Sequence, residues 1–313
     1  MKQMKRMLAL ILALVMILGV LPMSVLAAEG TATGDFTGGA SDTDYLFFAT
    51  DRHTNTSILK TMIDAMEKNI GENKLEYLGL GGDMVGSGNS HPTYNSSTVL
   101  SEITGATSSL NATNVDIVAG IHDMNVNDDA GIVLPYSGGG AKIYEGDKYY
   151  VYGVPESCIS GAVSNVDPET EANAFVTWAN GANIDKSKVI IVLSHYPLHQ
   201  RRNDNNGASY WATALNKVAV GDDTTIDRNV IFFWGHNHTG ESSADTNVYY
   251  VAPNGSISVQ GGSSNQTIYF SYANAGYLNA KSSATLLSIT DTQIKFEKYV
   301  NSSVSTTNTV TRV

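Results

Sequence analysis

The 313-residue chain has a single cysteine, Cys158, so no intramolecular disulfide is available and the fold must hold through its core. With 42% apolar residues there is enough material for a sizeable one. Positive charge is scarce, 19 Lys and Arg against 30 Asp and Glu, which argues against nucleic-acid backbones as a general partner. No glycine-rich stretch follows a strand at nucleotide-loop spacing: GSGNS at 86–90 and SGGGA at 137–141 read as loop glycines. Internal repeats, heptads and linkers are missing too, which points to one domain.

What is present begins with Lys2, Lys5 and Arg6, the apolar run 7–21, then Pro22 and the small residues Ala27 and Ala28. That order is an export signal over residues 1–27, with cleavage after Ala27 or Ala28. The apolar stretch is nearly long enough for an uncleaved anchor, but Pro22 and the small exit residues favour cleavage. Cys158 lies far from that site, which excludes a lipid-bearing N-terminal cysteine. Loss of three positive charges takes the formal charge from −11 to −14. The expectation is a secreted protein on a bacterial Sec-type route, with no stable membrane anchor after cleavage. Residues 28–44, rich in Gly, Thr, Ser and Asp, read as a flexible entry segment.

From residue 45 short apolar runs alternate with helical patterns. Buried strands are expected at 45–49, 75–80, 115–119, 189–193 and 230–234. A helix is expected from Ile58 to Ile70, capped by Thr54 or Thr56 and closed by Gly71; a second opens at Asp167-Pro168 and runs to Asn180; a short third spans 211–218. Trp211 and Tyr210 on the third read as core. Residues 142–154 read as a hairpin turning at Gly146-Asp147, and short strands follow at 248–251, 257–259, 268–272, 284–289 and 293–299. The polar tail 301–313 is expected to fray. Strands and helices first, then strands alone, describe an α/β sandwich over 45–300 whose second sheet is completed late.

Five of the apolar runs end in metal-ligand chemistry: Asp51 and His53; Asp83; His122 with Asp123; His195; and, after NVIFFWG, His236 and His238. Ligands in α/β sheets bind beyond the carboxyl ends of the strands, so these residues should converge there. In extended chain His236 and His238 would point the same way. Any one Asp here would read as a turn former and any one His as a satisfied neutral side chain; five coincidences do not. On the loops, His91, His199, Arg201 and Arg202 are candidates for holding substrate phosphate, with a solvated loop as the competing reading.

The segments DRH (51–53), GGD (81–83), GIHD (120–123), SHYP (194–197) and GHNH (235–238) together resemble the calcineurin-like metallophosphoesterase superfamily, in order and over residues 45–299. The resemblance implies a four-layer αββα sandwich with two mixed β-sheets flanked by helices. It implies two divalent or trivalent transition-metal ions (Mn, Fe or Zn), the first held by Asp51, His53 and His238, the second by His195 and His236, with Asp83 bridging. It also implies a phosphoesterase, secreted by the export signal read above, that hydrolyses a small phosphate mono- or diester by attack of a metal-bridging hydroxide, with His122 as acid and Asp123 holding its tautomer. One position departs: Ile121 stands where the family has a metal-ligating Asn. An alkyl group supplies no ligand, so the second metal would be weakly held unless Asn125 supplies the amide. A one-metal or non-catalytic descendant acting as an extracellular ligand-binding protein is the alternative.

Overall fold

Strands buried on both faces form the middle of the molecule. The computed structural model describes residues 42–53, 57–84, 105, 115–118, 120, 123, 141–154, 167–199, 207–236, 250–261, 265–279 and 282–313. The expected export signal and the entry segment up to residue 41 lie outside the described residues. Among the described residues no helix is long and apolar enough to cross a membrane.

In the first sheet β1 (Asp44–Ala49) pairs in parallel with β2 (Leu75–Leu80), and β2 with β3 (Val115–Ile117). On its other side β1 runs antiparallel to β12 (Ser283–Ile289), and the sheet continues through β13 (Gln293–Val300) to β14 (Ser303–Thr311). The second sheet has the order β4 (Lys142–Glu145), β5 (Tyr149–Gly153), β6 (Val189–Leu193), β7 (Val230–Trp234), β11 (Ser271–Asn274), β8 (Tyr250–Val251). Its four inner strands are parallel and its two edges antiparallel. A small ladder of β9 (Ser256–Ser258) and β10 (Asn265–Thr267) stands apart.

Strand periodicity sorts the side chains into three apolar layers. Leu46, Phe48 and Leu287 of the first sheet meet Val151, Ile191, Leu193 and Phe233 of the second, with Phe48 and Phe233 stacked at 4.3 Å between centroids. On the outer face of the first sheet Phe47, Leu78 and Leu286 pack against Leu59, Met62, Ile63 and Met66 of α1 (Ile58–Ile70). The outer face of the second buries Val192, Phe232 and Tyr272 against Phe175 of α2 (Pro168–Ala179) and Trp211 and Leu215 of α3 (Ala208–Val220). The layers are therefore helix, sheet, sheet, helix, as expected. Each large side chain so buried contributes about 1.5–3 kcal/mol, so no disulfide is required.

Local chemistry explains most boundaries. Asp167 caps α2 by accepting from Thr170 N at 2.9 Å, with Pro168 in its first turn. Thr54 and Thr56, the expected caps of α1, lie outside the described residues; Ser57 occupies that position without a side-chain capping bond. The third helix begins earlier than expected, at Ala208, and leaves Tyr210 42% exposed while Trp211 is fully buried, so only Trp211 is core. Of the strand expected at 268–272 only Ser271 and Tyr272 lie in one, at the start of β11, and residues 268–270 connect β10 to it.

The largest departure is residues 301–313, expected as a fraying tail. They form β14, paired along β13 after a turn in which Asn301 and Ser302 take left-handed backbone. Arg312 then donates to Thr290 O at 2.9 Å and to Ser187 O at 2.6 Å, joining the two sheets. Polar composition misleads here because an edge strand needs one buried face only, and Val310 supplies part of it.

Candidate metal centre

β1 and β2, like β6 and β7, release their chains at one end of the sandwich, and hydrogen bonds carry the ladders past the strand ends. Gly81 N donates to Ala49 O (2.8 Å), Asp51 N to Gly82 O (2.9 Å) and His53 N to Asp83 O (3.0 Å) in the first sheet; Gly235 N donates to His195 O (3.0 Å) in the second. Two bonds then cross between the sheets. His195 Nδ1 donates to Gly81 O at 2.7 Å, and His236 N donates to Asp51 Oδ2 at 2.9 Å. Gly235 permits this closeness, because a Cβ there would strike the Thr50 hydroxyl.

Five expected ligands are thereby brought together. Asp51, His53 and Asp83 form one group, and Asp83, His195 and His236 another, with one potential ligand atom from each residue within 4.8 Å of the others in its group. Asp83 belongs to both. All five are buried, between 0 and 8% exposed. Carboxylate oxygen and imidazole nitrogen are the donor types that suit Mn, Fe or Zn, so the residues fit such ions. Gly81 O fixes the proton on His195 Nδ1 and leaves Nε2 as the ligand atom, 3.3 Å from Asp83 Oδ2.

Four of the five, Asp51, His53, Asp83 and His236, have left-handed backbone, φ 50 to 67°. For non-glycine residues this costs about 1–2 kcal/mol each. It also corrects the extended-chain reasoning for His236: at φ 67° the chain has left strand geometry, so the two-residue repeat does not aim its ring. The bond from its N–H to Asp51 does.

Electrostatics concentrate in the same place. Full burial by itself would drive the His195 imidazole neutral, but the charge of Asp83, its contact with the ring and the charge of Asp51 outweigh that. The result is a pKa raised from an ordinary 6.5 to about 10. A cation entering the second group must displace that proton.

Comparison with protein-family models and with curated protein sequences finds no match to this chain. Solved structures do match. PhoD shares 8% identity at a TM-score of 0.53, over 87% of this chain and 70% of that one. The purple acid phosphatase PPD1 of yellow lupin (Lupinus luteus) seeds shares 12% at a TM-score of 0.51, over 86% of this chain and 54% of that one, so this chain spans about half its length. The fold is that of the calcineurin-like metallophosphoesterases.

In that calcineurin-like fold the remaining candidates divide. His238, His122, Ile121, Asn125, His91, Arg201 and Arg202 lie outside the described residues. Asp123 is buried, and its two oxygens accept from Met84 N and Gly120 N at 2.9 Å each, so it pins the Asp83 loop to the loop after β3. His199, a candidate for substrate phosphate, sits instead in the core beside Trp234, its Nδ1 2.8 Å from Tyr272 Oη. That hydroxyl accepts from Leu198 N and His199 N, so its own proton goes to the imidazole.

Two neighbours of the centre escaped the sequence reading although both stand inside quoted motifs. Tyr196 packs on His236 at 4.6 Å and edge-on to His195 at 5.2 Å between centroids, holding both rings. Arg52 is fully buried and donates to Met84 O at 3.0 Å. Only the pairing of Arg52 with two ligands in DRH hinted at it, since arginine is rarely buried without a task.

Proposed function

We propose that this protein is a metal-dependent phosphoesterase that hydrolyses a small phosphate mono- or diester. The observation that supports it is the membership of Asp83 in both three-residue groups: one carboxylate with two oxygens, set between an aspartate–histidine pair and a pair of histidines. Two cations held there would acidify bound water and neutralise phosphate oxygens. The chain's own contribution is orientation. Gly81 O sets the His195 tautomer, Asp51 is held by the His236 N–H, and the sheets' packing keeps both groups fixed.

On this reading His122 protonates the leaving group, and Asp123 acts by pinning the loop that carries it. Elemental analysis of the purified protein together with turnover of p-nitrophenyl phosphate and its bis-ester in added Mn tests the proposal. Two metals per chain and turnover are expected, both lost in Asp83→Asn. Bound metal without turnover in the wild type, and turnover in Ile121→Asn, would instead favour the extracellular ligand-binding reading that Ile121 raises.

We further propose that the protein acts outside the cell. The basic, apolar and small-residue order of residues 1–28 supports this, and the mass of the protein recovered from medium should show cleavage after Ala27 or Ala28. Full-length protein retained in membranes would overturn it.

A further inference from the structure

Asp83 is asked to face two groups at once from a backbone at φ 52°, and something must hold it there. Its own side chain cannot, because those oxygens face the ligand groups. The next peptide can. Met84 N donates to Asp123 Oδ1 at 2.9 Å, and Met84 O accepts from Arg52 Nη1 at 3.0 Å. One residue is thus gripped through both of its backbone polar groups, by a carboxylate on one side and a guanidinium on the other. Asp123 is anchored in turn by Gly120 N at 2.9 Å, and Gly120 lies so close that a Cβ there would strike Asp83. Arg52 is anchored by its position between Asp51 and His53, whose backbone N–H groups bond Gly82 and Asp83.

Resting on the two-group reading of the centre, we infer that Arg52 is a positioning residue. Together with Asp123 it clamps Met84 through the peptide groups on either side of its Cα and thereby fixes Asp83 as the carboxylate common to both groups. Arg52 is itself buried, as are Asp51, Asp83 and Asp123. Arginine suits the role because it stays charged when buried and its donors are held in a rigid plane.

Manganese provides the readout, because two Mn(II) ions sharing a carboxylate are exchange-coupled and give a spectrum distinct from that of separate ions. Wild-type protein loaded with Mn is expected to show the coupled spectrum. In Arg52→Met the coupled signal should give way to that of isolated ions, with Mn affinity reduced about 10- to 100-fold, the usual effect of removing a group that orients ligands. Arg52→Lys, which keeps one donor and the charge, should restore part of the coupling. Arg228→Met is the control: Arg228 is also buried and bonds Ala179 O (2.7 Å) and Asp185 O (3.0 Å), but it precedes β7 at the end away from His236. It should destabilise the fold and leave the spectrum coupled.

Full coupling in Arg52→Met, or equal loss in Arg228→Met, overturns the inference. An uncoupled spectrum in the wild type overturns the shared-carboxylate reading itself, a different failure. Should Arg52→Met not fold, Arg52→Gln gives the same readout with a shorter polar side chain.

Discussion

Asp83→Asn separates a shared ligand from an ordinary one. Ligand binding stabilises a folded chain by about 2.7 kcal/mol per site when the free ion is at a hundred times its dissociation constant. Asp83 serves both groups, so its loss should remove about twice that gain, on the order of 5 kcal/mol. Asp51→Asn disturbs one group and should remove about half as much. Without metal the order of effects is different. His195 at about 10 against an ordinary 6.5 owes its charge first to Asp83 among the groups that oppose burial. Asparagine lets the imidazole go neutral, and it also removes one buried carboxylate, so the two changes offset in part. The metal-free variant should lose only about 1–3 kcal/mol. Thermal unfolding of wild type, Asp51→Asn and Asp83→Asn, each in chelator and in excess Mn, gives all six values, with metal counted by elemental analysis. A tightly bound metal retained by Asp83→Asn, or a Mn-induced gain no smaller than that of Asp51→Asn, would refute the bridging assignment.

Other expectations can be checked independently. Because the His195 pKa is raised in the fold, protonation of His195 stabilises the metal-free chain fully below pH 6.5, and that contribution is lost as pH rises toward 10. Metal binding must expel the same proton, so Mn affinity measured by calorimetry should rise across this window and release close to one proton more than in His195→Gln. Lys298 moves the opposite way: burial lowers its pKa to about 7, so the fold favours its neutral form and stability from this group rises with pH between 7 and 10.5. Urea titrations of Lys298→Met should lack that rise, and an unchanged pH profile would contradict the buried amine. Arg312→Ala removes two hydrogen bonds, the one to Ser187 O joining the sheets, and should cost about 1–3 kcal/mol in the same assay, whereas a fraying tail would predict nothing.

The legible part of this fold was its buried half. Runs such as VIIVL at 189–193 and VIFFW at 230–234 need no neighbour to be recognised as strands, and the residues that follow them are placed by the strand ends. That the residues after those strands would be gathered together was legible for the same reason. The backbone at those residues was not: Asp and His enter the left-handed region more often than most side chains, but too seldom to mark Asp51, His53, Asp83 and His236 in advance. Residues that act through backbone groups were equally hidden. Arg52 reaches a carbonyl 32 positions away and Asp123 an amide 39 away, and neither pairing leaves a trace in local spacing. β14 was missed because its Ser and Thr content resembles a linker, whereas Arg312 and Val310 decide its fate from a distance.

The turned backbone at four candidate ligands has a bearing on how this protein would respond to directed evolution. Glycine at any of those positions would relieve about a kilocalorie of torsional cost while deleting a metal donor. A library screened for heat tolerance in chelator should therefore favour glycine at positions 53 and 236, where no buried carboxylate is lost, and only a screen that also demands bound cation would keep the centre intact.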